Sequence, residues 1–523
     1  MTSPAHSNKR IAINTGVIYF RLILTLGISL YSTRFVLEAL GADDYGLYNV
    51  VAGVVAMFAF ISATMATSTQ RFISFSMGLG NGPAEMKKVV GSAISIHLLM
   101  AVLVSAIVLL GGWWAINHML DIPYGKTPDA LFVLVCVVVG LVGTINSVPF
   151  EALLMAHENI LYVSICQTVN ALFKFGAAVV LLGVPTDRLR LYAVLMAVLP
   201  FIILILEAAY CLAKYSETRV SRTDFRPGTV MKELSKFAGW VMIGTTCMTL
   251  RNQGVAIILN IFWGVAVNAA NAVANQVNST LQFFSTSVTT SLRPQLVRSA
   301  GEGDYQRMMT LMTAASKYPL LLIILAASPI IVAMPYILSL WLKTVPDHTV
   351  TFCRIMLLST IVGQAYMGIV NGMEAMGKVK LMHIFCGSSY LAVLPTGYIL
   401  ARQGFDPQCV YWCVVFFQIV ILAYLIHLAG RQLNLDKKRF SLNVVGRSAV
   451  VAVLLTIADF FIWKYLSPSL LSLVTLGVAD IVVFALLCYA IGFTGEEKRT
   501  VSKLVSKLVS KLSGKVSKNK PAE

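Results

Sequence analysis

Charge is what this sequence has least of. Only 12% of its 523 residues are Asp, Glu, Lys or Arg, where a soluble domain carries roughly a quarter. That scarcity excludes a water-soluble fold with a charged surface. Acid is scarcer than base, with 24 Asp and Glu against 41 Lys and Arg and a net charge of +17. The nine cysteines lie in apolar stretches without a CxxC or a Cys/His cluster, so neither disulfides nor a metal site is expected. Cys409 and Cys413 share a helix face and read as small core residues. No GxxxxGK(S/T) phosphate loop occurs, and no loop between apolar runs is long enough to fold by itself. An ATP-binding or soluble catalytic domain is thereby left out, and no cofactor is called for.

What is there is apolar: 57% of residues are hydrophobic, and mean hydropathy is +0.77. Runs of ~20 apolar residues, enough for a helix to cross a ~30 Å hydrocarbon core, recur from end to end. The chain reads as an all-α polytopic membrane protein with about fourteen spans. These are 13–37, 45–66, 89–112, 130–150, 160–183, 190–213, 237–262, 265–290, 317–341, 351–372, 380–401, 408–429, 446–466 and 470–493. The opening MTSPAHSNKR is short and polar, and no small-residue cleavage site follows the first run, so that run is expected to be a retained anchor. Most Lys and Arg fall in the loops of one side. The other side's loops hold only Lys126, Arg188, Arg190, Lys343, Arg402 and Lys464. By the positive-inside rule both termini are expected in the cytoplasm. The basic excess then reads as topology and contact with anionic lipid heads, not as a nucleic-acid surface.

A shift of 222 residues lays Asn49 on Asn271, Thr64 on Thr286, Ser68 on Thr290 and Arg71 on Arg293. Both copies are an even-numbered span ending in a Ser/Thr tract, an Arg and a Gly-containing loop. Repeated halves are common in transporters, which hold substrate between them. The expected organisation is a six-span lobe at 1–213, a basic connector at 214–236, a second six-span lobe at 237–429, two extra spans at 430–493 and a basic tail at 494–523. The tail repeat VSKLVSKLVSKLSGKVSKNK gathers Val501, Leu504, Val505, Leu508, Val509 and Leu512 on one side with Lys503, Lys507 and Lys511 flanking them. It reads as an amphipathic helix on the cytoplasmic leaflet.

An ionisable group inside a span costs at least about 2.5–3.5 kcal/mol and faces a partner or a water-filled cavity. Arg251 and Lys174 lie nearest mid-span, and Arg21 about a third of the way in from the cytoplasm. Arg34 and Arg354 sit near the outer interface, where snorkelling accounts for them. Arg71 and Arg293 end spans 2 and 8, where contact with lipid heads would account for both. Acids are fewer. Glu207 lies near the cytoplasmic end of span 6, and Asp459 and Asp480, at similar depth in spans 13 and 14, are placed to share a proton that could couple transport. His97 and His383 read as packing residues. Asn268, Asn271, Asn275, Asn278 and Gln282 repeat at i, i+3, i+4 along span 8, with Gln276 off the stripe. Amides cannot face lipid unsatisfied, so the stripe faces either neighbouring helices or water. With Arg251, Asn252 and Gln253 on the preceding span, it points to a hydrated cationic cavity for a polar, sugar-bearing anion.

The blocks LGADDYGLYNVVAGVVAMF and STQRFISF near the start, and LRNQGVAIILNIFWGVAVNAANAVANQV with LRPQLV midway, resemble the O-antigen and polysaccharide flippases of the multidrug/oligosaccharidyl-lipid/polysaccharide exporter superfamily. The similarity runs from about residue 10 to about 430. It implies two six-helix lobes, often with two further helices, around a central cavity in a bacterial plasma membrane. It also implies movement of an undecaprenyl-diphosphate-linked glycan outward, alongside polysaccharide assembly proteins. The family's cationic cavity residues map onto Arg21, Arg251 and Lys174, with Arg34, Arg71 and Arg293 as further candidates. Two other functions compete. A drug/cation antiporter of the same superfamily should show buried carboxylates in the first lobe, and spans 1 to 5 hold no central Asp or Glu. A membrane glycosyltransferase or polymerase could use Asp43 and Asp44, but no second acidic or His cluster completes a site.

Overall fold

Lipid offers the backbone no hydrogen-bond partners, so a chain of apolar runs must close its own as helices. The computed structural model describes residues 16, 21, 24–25, 27–28, 31–32, 34–41, 44–53, 59–80, 82–118, 122, 125–184, 187–221, 228–342, 345–495 and 497–499. The tail repeat and Asp43 lie outside them. Among the described residues every regular element is helical. Helical residues between 16 and 53 precede α1 (Ala59–Gly78), α2 (Pro83–His118), α3 (Thr127–Ala156), α4 (Ile160–Gly183) and α5 (Arg188–Lys214). Then come α6 (Thr229–Gly301), α7 (Tyr305–Trp341), α8 (Thr349–Ala375), α9 (Lys380–Arg402) and α10 (Gln408–Gln432). Last are α11 (Lys437–Tyr465) and α12 (Leu470–Gly492).

Ten of these helices, α2 to α5 and α7 to α12, are long and apolar enough to cross a membrane. The expected spans 13–37 and 45–66 fall on partly described residues. Spans 237–262 and 265–290 are the two arms of α6, which is continuous over 73 residues except at Gly264 (φ 80°, ψ −173°). That positive φ suits glycine, and the chain doubles back there. The two ends of α6 meet the same neighbours. The Phe237 ring lies 5.2 Å from the Arg71 guanidinium, Arg71 bonds the backbone of Glu374, and the Glu374 carboxylate bonds Arg293 on the second arm.

Several helices run well past the ends that hydropathy suggests. α1 continues to Gly78, α6 to Gly301, and α7 begins at Tyr305. Hydropathy fails there because the Ser/Thr/Gln tracts leave the hydrocarbon but not the helix. Ser68, Thr69, Ser74, Ser287, Ser291 and Ser299 are all buried, packing helix on helix beyond the apolar layer. A tight crossing joins α1 and α6. A Cβ on Gly78 would run into the Arg298 carbonyl oxygen, and one on Gly301 into that of Phe75. Overpacking typically costs about 1–3 kcal/mol, so Gly301→Ala should lower the melting temperature of the detergent-purified protein. Gly239→Ala, whose Cβ meets nothing, should not.

The chain divides into two compact units: Met1–Leu250 with Ser287–Leu311 and Asn371–Ser388, and Arg251–Thr286 with Met312–Val370 and Ser389–Glu523. The first is built on a core including Val104, Val108, Leu134, Ile145 and Ala193. The second is built on Leu259, Ala270, Ala274, Phe352 and Val410. Cys409 and Cys413 belong to that second core.

At one end of the first unit, His157 Nε2 lies 2.6 Å from Glu217 Oε1, and its ring stacks on Tyr215 at 3.9 Å. The hydrogen bond from His157 holds the Glu217 carboxyl below its ordinary value, against burial, which pushes it up. A carboxyl depressed by folding adds stability above its unfolded value, lost as the pH falls through the folded one. Glu217→Gln should therefore destabilise the protein at neutral pH. In paired thermal melts the difference should fade below the ordinary carboxylate range, about pH 4.

Candidate functional site

In the second unit the amide stripe divides. Asn271 is buried and accepts from the Tyr411 hydroxyl at 2.6 Å. Its own amide donates to Asn268 Oδ1 at 3.2 Å, and Asn275 donates to Asn271 Oδ1 at 3.0 Å. Asn278 accepts from the Thr360 hydroxyl. This edge of the helix is an interhelical hydrogen-bond seam of the kind small neighbours permit. The other edge is open: Asn275, Gln276, Ser279, Gln282 and Thr286 are exposed on one face. Ser279 and Thr286 satisfy their hydroxyls on the carbonyls of Gln276 and Gln282. The Gln276 and Gln282 amides have no partner among the described residues. Gln276, expected off the stripe, is thus central to its exposed face. The 3.6-residue repeat spreads the amides over an arc wide enough to serve two faces.

The first arm of α6 repeats this division. Leu250, Ile257 and Ile261 are exposed on its apolar side, while Asn252, Gln253 and Asn260 are exposed on its polar side. Arg251 leans toward the polar side, its Nη2 and Nε donating to Asn252 Oδ1 at 2.8 and 3.2 Å. Its guanidinium sits 5.0 Å from the Tyr390 ring centroid. Tyr390 OH is 3.5 Å from Tyr366 OH, which donates to Gln418. No carboxylate occurs among the described partners of Arg251. Counted along the two arms from Gly264, Arg251 and Asn278 lie at nearly equal depth, ~20 Å at 1.5 Å per residue.

In the first unit Arg21 donates to Gln167 Oε1, and Gln167 Nε2 donates to Glu151 at 3.4 Å. Arg21 is thus linked to a carboxylate through Gln167. Glu151, assigned to a loop by hydropathy, lies inside α3. Lys174 is exposed on α4 on the same face as Gln167, and it has no hydrogen-bond or ion-pair partner among the described residues. Arg34 is exposed as well.

Arg71 and Arg293 are not at the lipid surface. Arg71 is 8% exposed and donates from Nε to Glu374 O at 3.2 Å and from Nη2 to Ala375 O at 3.1 Å. The rings of Phe72 and Phe75 also flank it, at 4.7 and 4.6 Å. Arg293 Nη2 lies 2.6 Å from Glu374 Oε2, and its Nη1 is 3.5 Å from Thr67 Oγ1. Lipid-head contact therefore gives way to burial for Arg71 and to an ion pair with Glu374 for the half-buried Arg293. Sequence reasoning missed Glu374 because it ends an apolar span 81 residues from Arg293, a pairing no local pattern encodes.

Asp459 and Asp480 are 0% and 2% exposed and lie close enough for their carboxyls to interact, and Ser328 donates to Asp459. Asp44 of the acidic loop pair accepts from Lys126 Nζ at 2.7 Å. His97 Nδ1 sits 2.7 Å from Ala93 O, and the His383 ring is packed where a Cβ on Gly244 would be; both are packing residues by their contacts.

Residues 8–300 match a family described as polysaccharide biosynthesis protein. A Bacillus subtilis (strain 168) relative, the uncharacterized membrane protein EpsK, is 22% identical over 352 residues, covering 64% of this chain and 65% of that protein. The match therefore spans slightly under two thirds of the relative's length. Among solved structures, a mutant of a MATE transporter is similar with a TM-score of 0.72 at 11% identity, over 83% of this chain and 97% of that one. A Pyrococcus furiosus transporter of the MOP superfamily, whose binding pocket is described as reversed in polarity, is similar at 0.68 and 13%, over 83% and 97%. At such identities the likeness establishes the fold alone: the helical fold of the MATE transporters.

Proposed function

The chain belongs to the polysaccharide biosynthesis protein family, and on that premise we propose that it is a flippase for an undecaprenyl-diphosphate-linked oligosaccharide, an O-antigen or other surface-polysaccharide unit. It works in a bacterial inner membrane with both termini cytoplasmic, beside the polysaccharide assembly proteins that make and use its substrate. A transporter needs no catalytic group. The lipid tail stays in the bilayer, while the diphosphate and glycan cross through a hydrated path as two six-span lobes (1–213 and 237–429) alternate in access.

One observation carries the reading: the exposed amide faces of α6, with Gln276 and Gln282 in mid-span and Arg251 at the same depth without a carboxylate. Exposed amides in a span require water rather than lipid, and amides are the groups that exchange hydrogen bonds with sugar hydroxyls. A guanidinium with open donors takes phosphate oxygens in fork geometry. Arg251 is assigned the diphosphate, with Asn252, Gln253, Asn275 and the exposed edge of Asn278 on the glycan. Asn271 holds the seam behind them. Arg21 and Lys174 provide positive charge on the first lobe, and Arg34 does so near the outer interface.

The test is transport itself. In proteoliposomes, a diphosphate-linked oligosaccharide with a polyprenyl tail should become accessible to a lectin on the opposite face in a protein-dependent manner. Cationic dyes should not move.

One finding favours a drug/cation antiporter instead. The first half does contain buried acid: Glu207 is 3% exposed with its Oε2 lacking a partner among the described residues, and Glu151 lies on α3. Dye uptake abolished by Glu207→Gln would establish that alternative. Coupling is assigned to the Asp459/Asp480 pair. Replacing both by Asn should flatten the pH dependence of transport, measured across pH 5.5–8.

A further inference from the structure

The two arginines that the internal repeat superimposes, Arg71 and Arg293, converge on one helix end, and they are held in different ways. α8 closes with the Lys378 amide on Met373 O at 2.9 Å and the Gly377 amide on Glu374 O at 3.0 Å, with Gly377 at φ 71°. This is a Schellman motif. Arg71 adds a second donor to the Glu374 carbonyl and takes up that of Ala375, a group the helix C-terminus leaves unsatisfied. Gly377 makes room for it, since a Cβ there would sit 2.9 Å from Arg71 Nη2. Arg71 cannot leave without taking the described donor from the Ala375 carbonyl. Arg293 is different. Its bond to this helix end is to one side-chain carboxylate, Glu374, and it is the more exposed member of that pair, at 17% against 7%.

We infer that Glu374 is a stand-in anion, occupying on Arg293 the place that a substrate's diphosphate takes when it enters from the basic end, and that its displacement unlatches α6 from α8 there. This rests on the diphosphate-linked substrate proposed above. A guanidinium forks onto phosphate as it does onto carboxylate, and a diphosphate brings more charge to the exchange. With Glu374 released, Arg71 still ties α1 to α8, but α6 is free of that helix end and the basic end can open. Substrate arrival and opening are thereby one event, and the empty carrier stays shut.

Ser68 reports on this, being 0% exposed and one turn before Arg71 on α1. The Ser68→Cys full-length chain in inside-out vesicles is treated with an impermeant maleimide, and the chain with only its native cysteines gives the background. Labelling should be slow, should rise on the order of tenfold in Glu374→Gln, and should slow again in the charge swap Arg293→Glu with Glu374→Arg. Farnesyl diphosphate should accelerate labelling of the Ser68→Cys chain and add nothing in Glu374→Gln. An unchanged rate in Glu374→Gln overturns the latch. If farnesyl diphosphate has no effect while Arg251→Ala still abolishes glycan export, the displacement is overturned and the substrate reading stands.

Discussion

Arg251→Ala is expected to abolish glycan export while the chain still inserts and folds. Among the described residues Arg251 bonds only its neighbour Asn252, at 2.8 and 3.2 Å, and lies against the Tyr390 ring at 5.0 Å, so its removal orphans no described carboxylate and opens no seam. On the proposed reading, what is lost is the grip on phosphate. Hydrogen bonds to charged groups are worth about 1.5–3 kcal/mol each, so two lost cost about 3–6 kcal/mol, at least about a hundredfold in rate. Arg251→Lys keeps the charge without the fork and should recover only part of it. The measurement is surface polysaccharide in a deletion strain complemented with each variant, with membrane abundance checked by blotting. Wild-type polysaccharide from the alanine variant at equal abundance would remove the cationic site. Arg21→Ala should also impair export, but with a stability cost, because it breaks the Arg21–Gln167–Glu151 chain.

Arg71→Ala should fail earlier, at folding. The side chain donates to two backbone carbonyls at the end of α8 and is packed by three phenylalanine rings. Removing it takes the described donor from the Ala375 carbonyl, while the Glu374 carbonyl keeps the Gly377 amide. A loss of about 3–5 kcal/mol, as for breaking a buried charge contact, consumes much of a typical stability of about 5–15 kcal/mol. The expected result is a sharp fall in the yield and melting temperature of detergent-purified protein, only partly relieved by Arg71→Lys, whose ammonium cannot bridge both carbonyls. Arg293→Ala should melt closer to wild type, since it removes a side-chain ion pair and no donor to a backbone carbonyl. If Arg71→Ala melts like wild type, its bonds to α8 contribute nothing and the cap is an incidental contact.

These two arginines mark where sequence reasoning reached and where it stopped. Their equivalence under the 222-residue shift was legible, as was their position after a Ser/Thr tract. The burial of Arg71 and half-burial of Arg293 were not, because helices α1 and α6 run on past the apolar layer, where composition no longer distinguishes buried from wet. The amide stripe was legible as a stripe. Its division into a seam at Asn271 and Asn278 and an open face at Gln276 and Gln282 was not, since helical spacing fixes direction from the axis and says nothing of what lies opposite. The Asp459/Asp480 encounter was foreseeable from equal depth on consecutive spans joined by a short turn.

By itself, then, the sequence determined what one helix and its solvent can decide: that the chain is built of helices apolar enough to span a membrane. That property depends on local hydropathy and on a backbone that must satisfy itself in hydrocarbon. Only the tertiary structure decided which cation is capped, which is paired and which stays available. Arg71 meets Ala375, Arg293 meets Glu374, and Arg21 reaches Glu151 through Gln167. Charge in a low-dielectric interior is governed by its nearest neighbours, and here those neighbours come from elsewhere in the chain.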